Sequence, residues 1–441
     1  MLARRIALTA ALILPLCLLY ARAGAEFAIA TIDIAFLTHS ARTRTWAWAR
    51  QPWFLIALAW WAAEMLCSLP IPALGLGPGG WKSFSQALVL IRLLLLPAAL
   101  GTFVLDTPRA RQSFWAVIAA CEAWILVECW QQELFGVNIF GDHRWADGSL
   151  TGPFWAPRAG PPYTHLLFLT ALPIVAALIA RKGAAPKLAA AAIAIIGFAT
   201  ALIIGQRMPF LLAGLGLVVT ALAFRPVRLP AIALGILVIL AIPALKIVSP
   251  PSFDKLVGET SLQIRHFAKS PYGELYTRAT VMIEHAPWQG YGFNGFLYFC
   301  PEPKFDAGLP ALGIGPTNLA RGACNIHPHN FYLQAAIDAG IGGLALFAAL
   351  NLAWLIALAR GMLRQPMQLG AFIGVLTYAW PLASTDNFAV LPMAGWLFVM
   401  LGLGLAFTNA DPQSPPQSGP PEPQALYQRE RYALILTGAP P

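Results

Sequence analysis

The chain alternates between long apolar runs and short polar breaks, and several of the breaks carry arginine. A helix that crosses a lipid bilayer needs about 20 consecutive, mostly apolar residues. Twelve runs reach or approach this length, and each predicts one membrane-spanning helix. They lie at residues 6–20, 27–37, 53–68, 84–105, 114–129, 163–180, 188–204, 209–224, 230–248, 331–359, 367–383 and 388–407.

Two segments interrupt this pattern. Residues 249–328 contain no long apolar run and are too long for a simple connection, so they predict a small folded region with short helices outside the membrane. Residues 409–441 are rich in Pro, Gln and Ser and predict a disordered cytoplasmic tail. The chain therefore divides into nine spans in residues 1–248, the loop region, three spans in residues 329–408 and the tail.

Composition supports the membrane interpretation and excludes a soluble globular protein of this length. Hydrophobic residues make up 58% of the chain, charged residues make up 11%, and the mean hydropathy is +0.64. The predicted fold class is all-α, a polytopic integral membrane bundle of about twelve transmembrane helices. The net charge of +9 arises mostly in short loops, so it gives no reason to expect nucleic-acid binding.

The basic residues also predict how the chain is oriented, because short loops rich in Lys and Arg stay in the cytoplasm. If every run crosses once, the basic loops share one face and both chain ends are cytoplasmic. The first run follows Arg4 and Arg5 as in a signal peptide, but further spans follow at once, so it is interpreted as the first helix. The basic residues on the shared face are Arg4, Arg5, Arg42, Arg44, Arg50, Arg109, Arg111, Arg181, Lys182, Lys187, Arg225, Arg228, Arg360 and Arg364.

Cysteine is divided between the spans and the loop region. Four of the six cysteines lie in predicted spans, where cysteine usually packs as a small apolar residue. Cys300 and Cys324 lie in the loop region, which faces an oxidising compartment in this topology. They are candidates for a disulfide, and the alternative is two independent thiols.

The stretch 327–334 holds two candidate catalytic histidines, His327 and His329, where the long polar region meets an apolar helix. A helix N-terminus and nearby arginines both disfavour imidazolium, so a histidine here would stay neutral and could accept a proton. The alternative is that both histidines cap the helix or lie at the membrane interface. The small residues at 338–343 would let a neighbouring helix or a lipid tail approach closely.

Four of the arginines on the same face as these histidines are candidate ligands for an anion. A guanidinium can bind a phosphate or a diphosphate through paired hydrogen bonds, which a lysine does less specifically. The alternative for each one alone is a solvated or ion-paired surface arginine. The four candidates are Arg144, Arg207, Arg265 and Arg278.

Four motifs occur in a fixed order along most of the chain. They are Arg144 with Gly152-Pro153-Phe154, then Gly205-Gln206-Arg207, then residues 285–296 with His285 and Gly290-Tyr291-Gly292, and finally His329-Asn330-Phe331-Tyr332-Leu333 followed by Asp338 and Gly340. Taken together, this set resembles the signature of the O-antigen ligase and polymerase superfamily. The chain departs from that pattern at residues 155–161, where many relatives have an asparagine, and at Ala286, which is inserted after the histidine.

The resemblance implies a glycosyltransferase of the bacterial inner membrane, similar to the GT-C class, whose active site faces the periplasm. Its donor would be a glycan on a polyprenyl diphosphate such as undecaprenyl diphosphate. Its acceptor would be a sugar hydroxyl of lipid A-core or of a lipid-linked repeat unit. Membrane lipids are implied as partners, and the scheme requires neither a metal ion nor another cofactor.

The resemblance also implies roles for particular residues. Arg144 and Arg207 would bind the diphosphate, and His329 would be the general base. The additional substrate-binding candidates are Arg265, Arg278, His327, Asn330 and Asp386.

Three functions remain open at this stage. A ligase would transfer a lipid-linked glycan to lipid A-core, and a polymerase of O-antigen or exopolysaccharide would transfer a growing chain to a lipid-linked repeat. The two share their donor and differ only in the acceptor. A transporter with a gated loop is the third, but no matched pair of interrupted helices supports it.

Overall fold

The computed structural model describes residues 2–383, 391 and 393–410. In these residues the chain is helical and forms no β-strand, only isolated bridges such as the one between Ile71 and Leu76. The first ten helices are α1 (Leu2–Tyr20), α2 (Arg22–Thr43), α3 (Pro52–Ser68), α4 (Gly80–Val89), α5 (Ile91–Ala99), α6 (Pro108–Phe135), α7 (Gly160–Ile179), α8 (Ala184–Ile204), α9 (Arg207–Ala223) and α10 (Arg228–Val248). The others are α11 (Pro250–Phe253), α12 (Thr260–Arg265), α13 (Pro271–His285), α14 (Gly295–Phe299), α15 (Phe331–Ala359), α16 (Pro366–Ala379) and α17 (Met393–Ala410).

Each of the twelve apolar runs coincides with helical structure, so the predicted all-α, polytopic membrane fold is confirmed. By length and composition, seven helices of the described residues could cross a membrane. Three further apolar helices are shorter, at Pro52–Ser68, Arg207–Ala223 and Ala394–Ala410. The predicted tail lies outside the described residues from position 411 onward.

Two helical segments are joined by a bidentate ion pair. The Arg92 guanidinium of α5 donates to both carboxylate oxygens of Glu26 in α2, over 2.7 and 2.8 Å. A paired, planar contact of this kind is the arrangement in which arginine and carboxylate bind each other best. It allows two charged side chains to lie between apolar helices, where an isolated charge would be costly.

The helices pack into one large apolar core, with α7 against α6, α8, α9 and α16, and with α15 against α3 and α16. Residues 249–328, here called the loop domain, have a second and smaller core. Leu275, Met282, Phe296 and Phe305 are buried there, and Ile337 of α15 packs into the same cluster. The loop domain is therefore a folded unit seated on the beginning of α15.

The loop domain is joined to α15 where that helix is broken. Ala339 and Gly340 are not helical, and Gly340 has a φ of 65°, which favours glycine. The backbone groups released by the break are bound by residues 287–292: Tyr291 N donates to Ile337 O over 2.7 Å, and Ile341 N donates to Pro287 O over 2.8 Å. A Cβ on Gly340 would lie 2.4 Å from Trp288 O. The small residues thus admit a loop backbone, whereas the sequence had indicated a helix or a lipid tail.

Arg278 lies inside the loop domain and is fully buried. Its guanidinium donates to the carbonyl oxygens of Cys300 and Glu302, to Thr317 Oγ1 and to the Asp306 carboxylate. An arginine has five N–H donors in a fixed fork, and these four protein acceptors take up most of them. The geometry therefore gives Arg278 a structural position and not the substrate contact that was predicted.

Cys300 and Cys324 form a disulfide. The bridge joins the end of α14 to the segment that leads into the histidines, since Cys324 is three residues before His327. Together with the Arg278 hydrogen bond to Cys300 O, it ties the histidine segment to the core of the loop domain.

Candidate functional site

A cavity of about 420 Å³ lies between the loop domain and the ends of the spanning helices. Its walls come from four separate parts of the chain: the α6–α7 connection, the start of α9, the loop domain and the segment before α15. The charged and aromatic side chains that line it are Asp147, Arg158, Arg207, Lys255, Tyr272, His327 and His329. The fold therefore brings both candidate histidines and Arg207 to one opening.

The two histidines form a tight hairpin at the cavity wall. The backbone N–H of His329 donates to His327 Nδ1 over 3.0 Å, and the ring centroids are 4.2 Å apart. A nitrogen that accepts a hydrogen bond carries no proton, so in a neutral His327 ring the proton is on Nε2. His327 is buried, and in the neutral ring its Nε2 carries the N–H that can donate a hydrogen bond.

His329 is held in an uncommon backbone conformation, with a φ of 52°. Histidine is one of the few residues other than glycine found in this left-handed region with any frequency. The Tyr272 ring meets the His329 ring edge-on at 5.5 Å. The His329 side chain lines the cavity, just before the first turn of α15.

Asn325 fixes the protonation pattern of His329. Asn325 Oδ1 accepts from the Ile326 backbone N–H over 2.7 Å, so its Nδ2 is the group that faces His329 Nε2 at 3.0 Å. Because Nδ2 can only donate, His329 Nε2 must accept. The lone pair of His329 thus lies on Nε2, which is what a general base at this position requires.

Asn330 is the N-cap of α15. Its Oδ1 accepts from the backbone N–H groups of Tyr332 and Leu333 over 2.9 and 3.1 Å, and its Nδ2 donates to Pro381 O over 2.6 Å. An asparagine in this role satisfies amides that the first turn of a helix leaves unpaired. Asn330 therefore positions His329 by capping the helix that follows it. The Asn330 amide makes these hydrogen bonds within the protein.

Arg207 is the first residue of α9 and is placed by a tight junction. Gly205 ends α8 with a φ of 74°, and a Cβ there would lie 3.2 Å from a side-chain oxygen of α11. Gln206 Nε2 donates to Pro157 O over 2.5 Å, which ties the junction to the α6–α7 connection. The Arg207 guanidinium is 3.9 Å from the Glu259 carboxylate, at the outer limit of an ion pair.

Lys255 and Arg158 are cations of the cavity that were not predicted from the sequence. Lys255 Nζ lies 2.7 Å from the Asp147 carboxylate and 3.5 Å from that of Glu259. Burial alone would raise the pKa of Asp147, but hydrogen bonds from Lys255 and Ser149 outweigh it and lower that pKa. Asp147 is therefore ionised at neutral pH. Arg158 packs over the Trp155 ring, with its guanidinium carbon 5.0 Å from the ring centre.

The remaining predicted residues lie elsewhere. Arg144 is not part of the cavity wall: its guanidinium pairs with Glu133 and donates to Ser249, Ser252 and the Gly148 carbonyl. Arg265 is exposed at the end of α12, away from the cavity wall. Asp386 lies outside the described residues.

Sequence reasoning could have identified only some of the cavity residues that it missed. These residues are Arg158, Lys255, Tyr272 and Asn325. Arg158 lies in the segment 155–161 that departs from the superfamily pattern, and a cation in such a segment was a usable signal. Lys255 and Glu259 are four residues apart, but nothing in the sequence shows that they face Arg207. Asn325 acts through one hydrogen bond whose partner is set by the turn geometry.

Comparison with known proteins adds one match. Residues 191–348 fit the family model described as O-antigen ligase. This region contains Arg207, Lys255, Tyr272 and both histidines, whereas Arg158 precedes it. A search of curated proteins finds no match.

Proposed function

We propose that this chain, which belongs to the O-antigen ligase and polymerase superfamily through its domain at residues 191–348, transfers a glycan from a polyprenyl diphosphate to a sugar hydroxyl. The reaction takes place in the cavity beside the loop domain, and in the proposed orientation that cavity faces the periplasm of a bacterial inner membrane. The observation that carries the proposal is the meeting of Arg207 with His327 and His329 in one cavity.

The donor supplies its own leaving group, because a diphosphate is stable when it departs. The enzyme then has to neutralise the negative charge that grows on the diphosphate oxygens as the anomeric C–O bond breaks. Arg207 and Lys255 are the lining cations within the matched domain. Asp147 and Glu259 hold these two cations in place through ion pairs. The cations would keep these carboxylate contacts while they also bind the diphosphate.

His329 is the proposed general base. The acceptor hydroxyl would replace the Asn325 amide at His329 Nε2, give up its proton to that nitrogen, and attack the anomeric carbon through its oxygen. The electron pair of the broken C–O bond goes to the departing diphosphate. His327 supports the step in two ways. Its Nδ1 accepts a hydrogen bond from the His329 backbone N–H, and its Nε2–H would donate a hydrogen bond to an oxygen of either substrate.

The acceptor proposed first is lipid A-core, which makes the protein a ligase, and the alternative within the same chemistry is a polymerase that uses a lipid-linked repeat. A deletion strain separates the two on a lipopolysaccharide gel. Loss of all long glycan from lipid A-core, with accumulation of lipid-linked polymer, identifies a ligase. A pattern of single repeats identifies a polymerase.

The catalytic assignment is tested with His329→Ala and Arg207→Ala. Each should lower glycan transfer roughly 100-fold or more, because a general base contributes about 10² to 10⁴ in rate and a charge-assisted contact contributes comparably. The matched controls are His266→Ala and Arg109→Ala, which change exposed side chains outside the cavity wall. Transfer at the control level by either cavity variant, with equal protein abundance in the membrane, would refute the proposal.

A further inference from the structure

We propose that Arg158, stacked on Trp155, is a donor-binding residue that contacts the phosphate groups of the polyprenyl diphosphate together with Arg207. This inference rests on the proposed function and adds a residue of this chain that lies outside the matched domain. Arg158 would be a second guanidinium in the cavity, and it would have the diphosphate-binding role that was predicted for Arg144.

The first argument is the charge balance of the cavity. Lys255 is paired with two carboxylates, Arg207 is near one, and Arg144 is paired with Glu133 outside the cavity. Within the described ranges, Arg158 has no ion pair with a carboxylate. Its charge is therefore the least compensated in the cavity, and an incoming anion gains most by binding there.

The second argument is position. The Gln206 side chain donates to Pro157 O over 2.5 Å, and Arg158 and Arg207 each directly follow one partner of this hydrogen bond. A turn in which Arg158 N donates to Ala156 O over 2.7 Å fixes the backbone before Arg158. Both side chains line the same cavity, so two linked phosphates could each accept hydrogen bonds from a different guanidinium.

The third argument is the contact between the guanidinium and Trp155. Arg158 lies over the Trp155 ring, and this contact attracts the cation without taking up its N–H donors as a carboxylate would. Trp155 itself is 69% exposed, next to the lining residues Ala156 and Pro157. Arg158 is therefore half-buried at the cavity wall, beside an exposed ring.

A comparison with Arg144 shows why Arg158, and not Arg144, is assigned to the phosphate groups. Arg144 joins the α6–α7 connection to the start of α11 through Ser249 and Ser252, and to α6 through Glu133. Binding a diphosphate would require it to give up those contacts. Arg158 has to give up none of that kind, so the segment that departs from the superfamily pattern supplies the cation for the cavity.

The test measures binding of geranyl diphosphate to the purified full-length protein in lipid nanodiscs by calorimetry. Arg158→Gln should raise the Kd by about 10-fold or more, the loss expected for one charge-assisted contact. Arg158→Lys should raise it less, because the charge is kept and the fork is lost. Arg158→Gln should weaken the binding of geranyl monophosphate less than the binding of the diphosphate. As a control, Arg109→Gln changes an exposed residue outside the cavity wall and should bind as the wild type does.

Steady-state kinetics provide a second measurement. Arg158→Gln should raise the KM for the lipid-linked donor and change kcat less than His329→Ala does, since His329 acts in the chemical step. Trp155→Ala should raise the Kd roughly 2- to 5-fold, and Trp155→Phe should retain most of the affinity.

The outcomes separate the two proposals. If Arg158→Gln binds geranyl diphosphate as the wild type does while Arg207→Gln does not, the role of Arg158 is overturned and the proposed function stands. If the wild type itself does not bind the diphosphate, both are overturned. If Arg158→Gln weakens the diphosphate and the monophosphate of equal chain length to the same extent, the pairing of Arg158 with Arg207 on two phosphates is overturned.

Discussion

In the loop domain Arg278 is fully buried and donates to four protein groups, whereas in the adjoining cavity Arg158 lies half-buried over Trp155 without an ion-paired carboxylate among the described residues. Both are arginines of segments predicted on the same side of the membrane, and the sequence alone does not show which of them finds acceptors within the protein. What separates them is whether the protein already supplies acceptors for the guanidinium. A saturated guanidinium holds the fold together, and an unsaturated one at an opening can bind an anion.

The largest effect that tests this comparison is expected from Arg278→Leu. Removing the guanidinium leaves the buried carbonyls of Cys300 and Glu302 without their donor, which should destabilise the loop domain by about 3–5 kcal/mol. Thermal unfolding in detergent and protein abundance measure this loss. Arg321→Leu is the matched control, because Arg321 is exposed and lies 3.5 Å from its partner Glu274. Unchanged stability of Arg278→Leu would contradict the structural role.

A smaller effect is expected when Cys300 and Cys324 are both changed to Ser. The bridge closes a loop of 24 residues, and loss of such a bridge typically costs about 2–4 kcal/mol. Because Cys324 precedes the histidine hairpin by three residues, His329 should lose its fixed position and transfer should fall roughly 10-fold or more. Transfer assays at equal protein abundance measure this, with Cys17→Ser, a free cysteine of α1, as control. Full activity of the double variant would show that the hairpin holds its position without the bridge.

The smallest effect is expected from Glu259→Gln. This carboxylate lies near both Arg207 and Lys255, so its removal should leave them more available to an anion. Because Glu259 is partly exposed, solvent screens the change, and the Kd for geranyl diphosphate should fall only about 2- to 3-fold. Glu284→Gln, outside the cavity wall, serves as the control. A weaker affinity would mean that Glu259 orients the two cations more than it competes for them.

The sequence determined a large part of this protein by itself. Apolar runs of near-membrane length specify helices because a backbone in lipid must satisfy its own hydrogen bonds, and the structure has helices at those runs. The motif around His329 identified the residues at the start of α15, and Gly205-Gln206-Arg207 marked the α8–α9 junction. These features were readable because each depends on residues that are close together in the chain.

Only the tertiary structure decided which charged residues meet. Whether Arg144, Arg158, Arg207 or Arg278 reaches the cavity depends on acceptors that are up to about a hundred positions away, such as Ser249 for Arg144. The same holds for Asp338 and Gly340, whose backbones lie against residues of the segment 287–295. A guanidinium or a glycine carries no local mark of its partner, because hydrogen bonds and close contacts between distant segments exist only once the chain has folded.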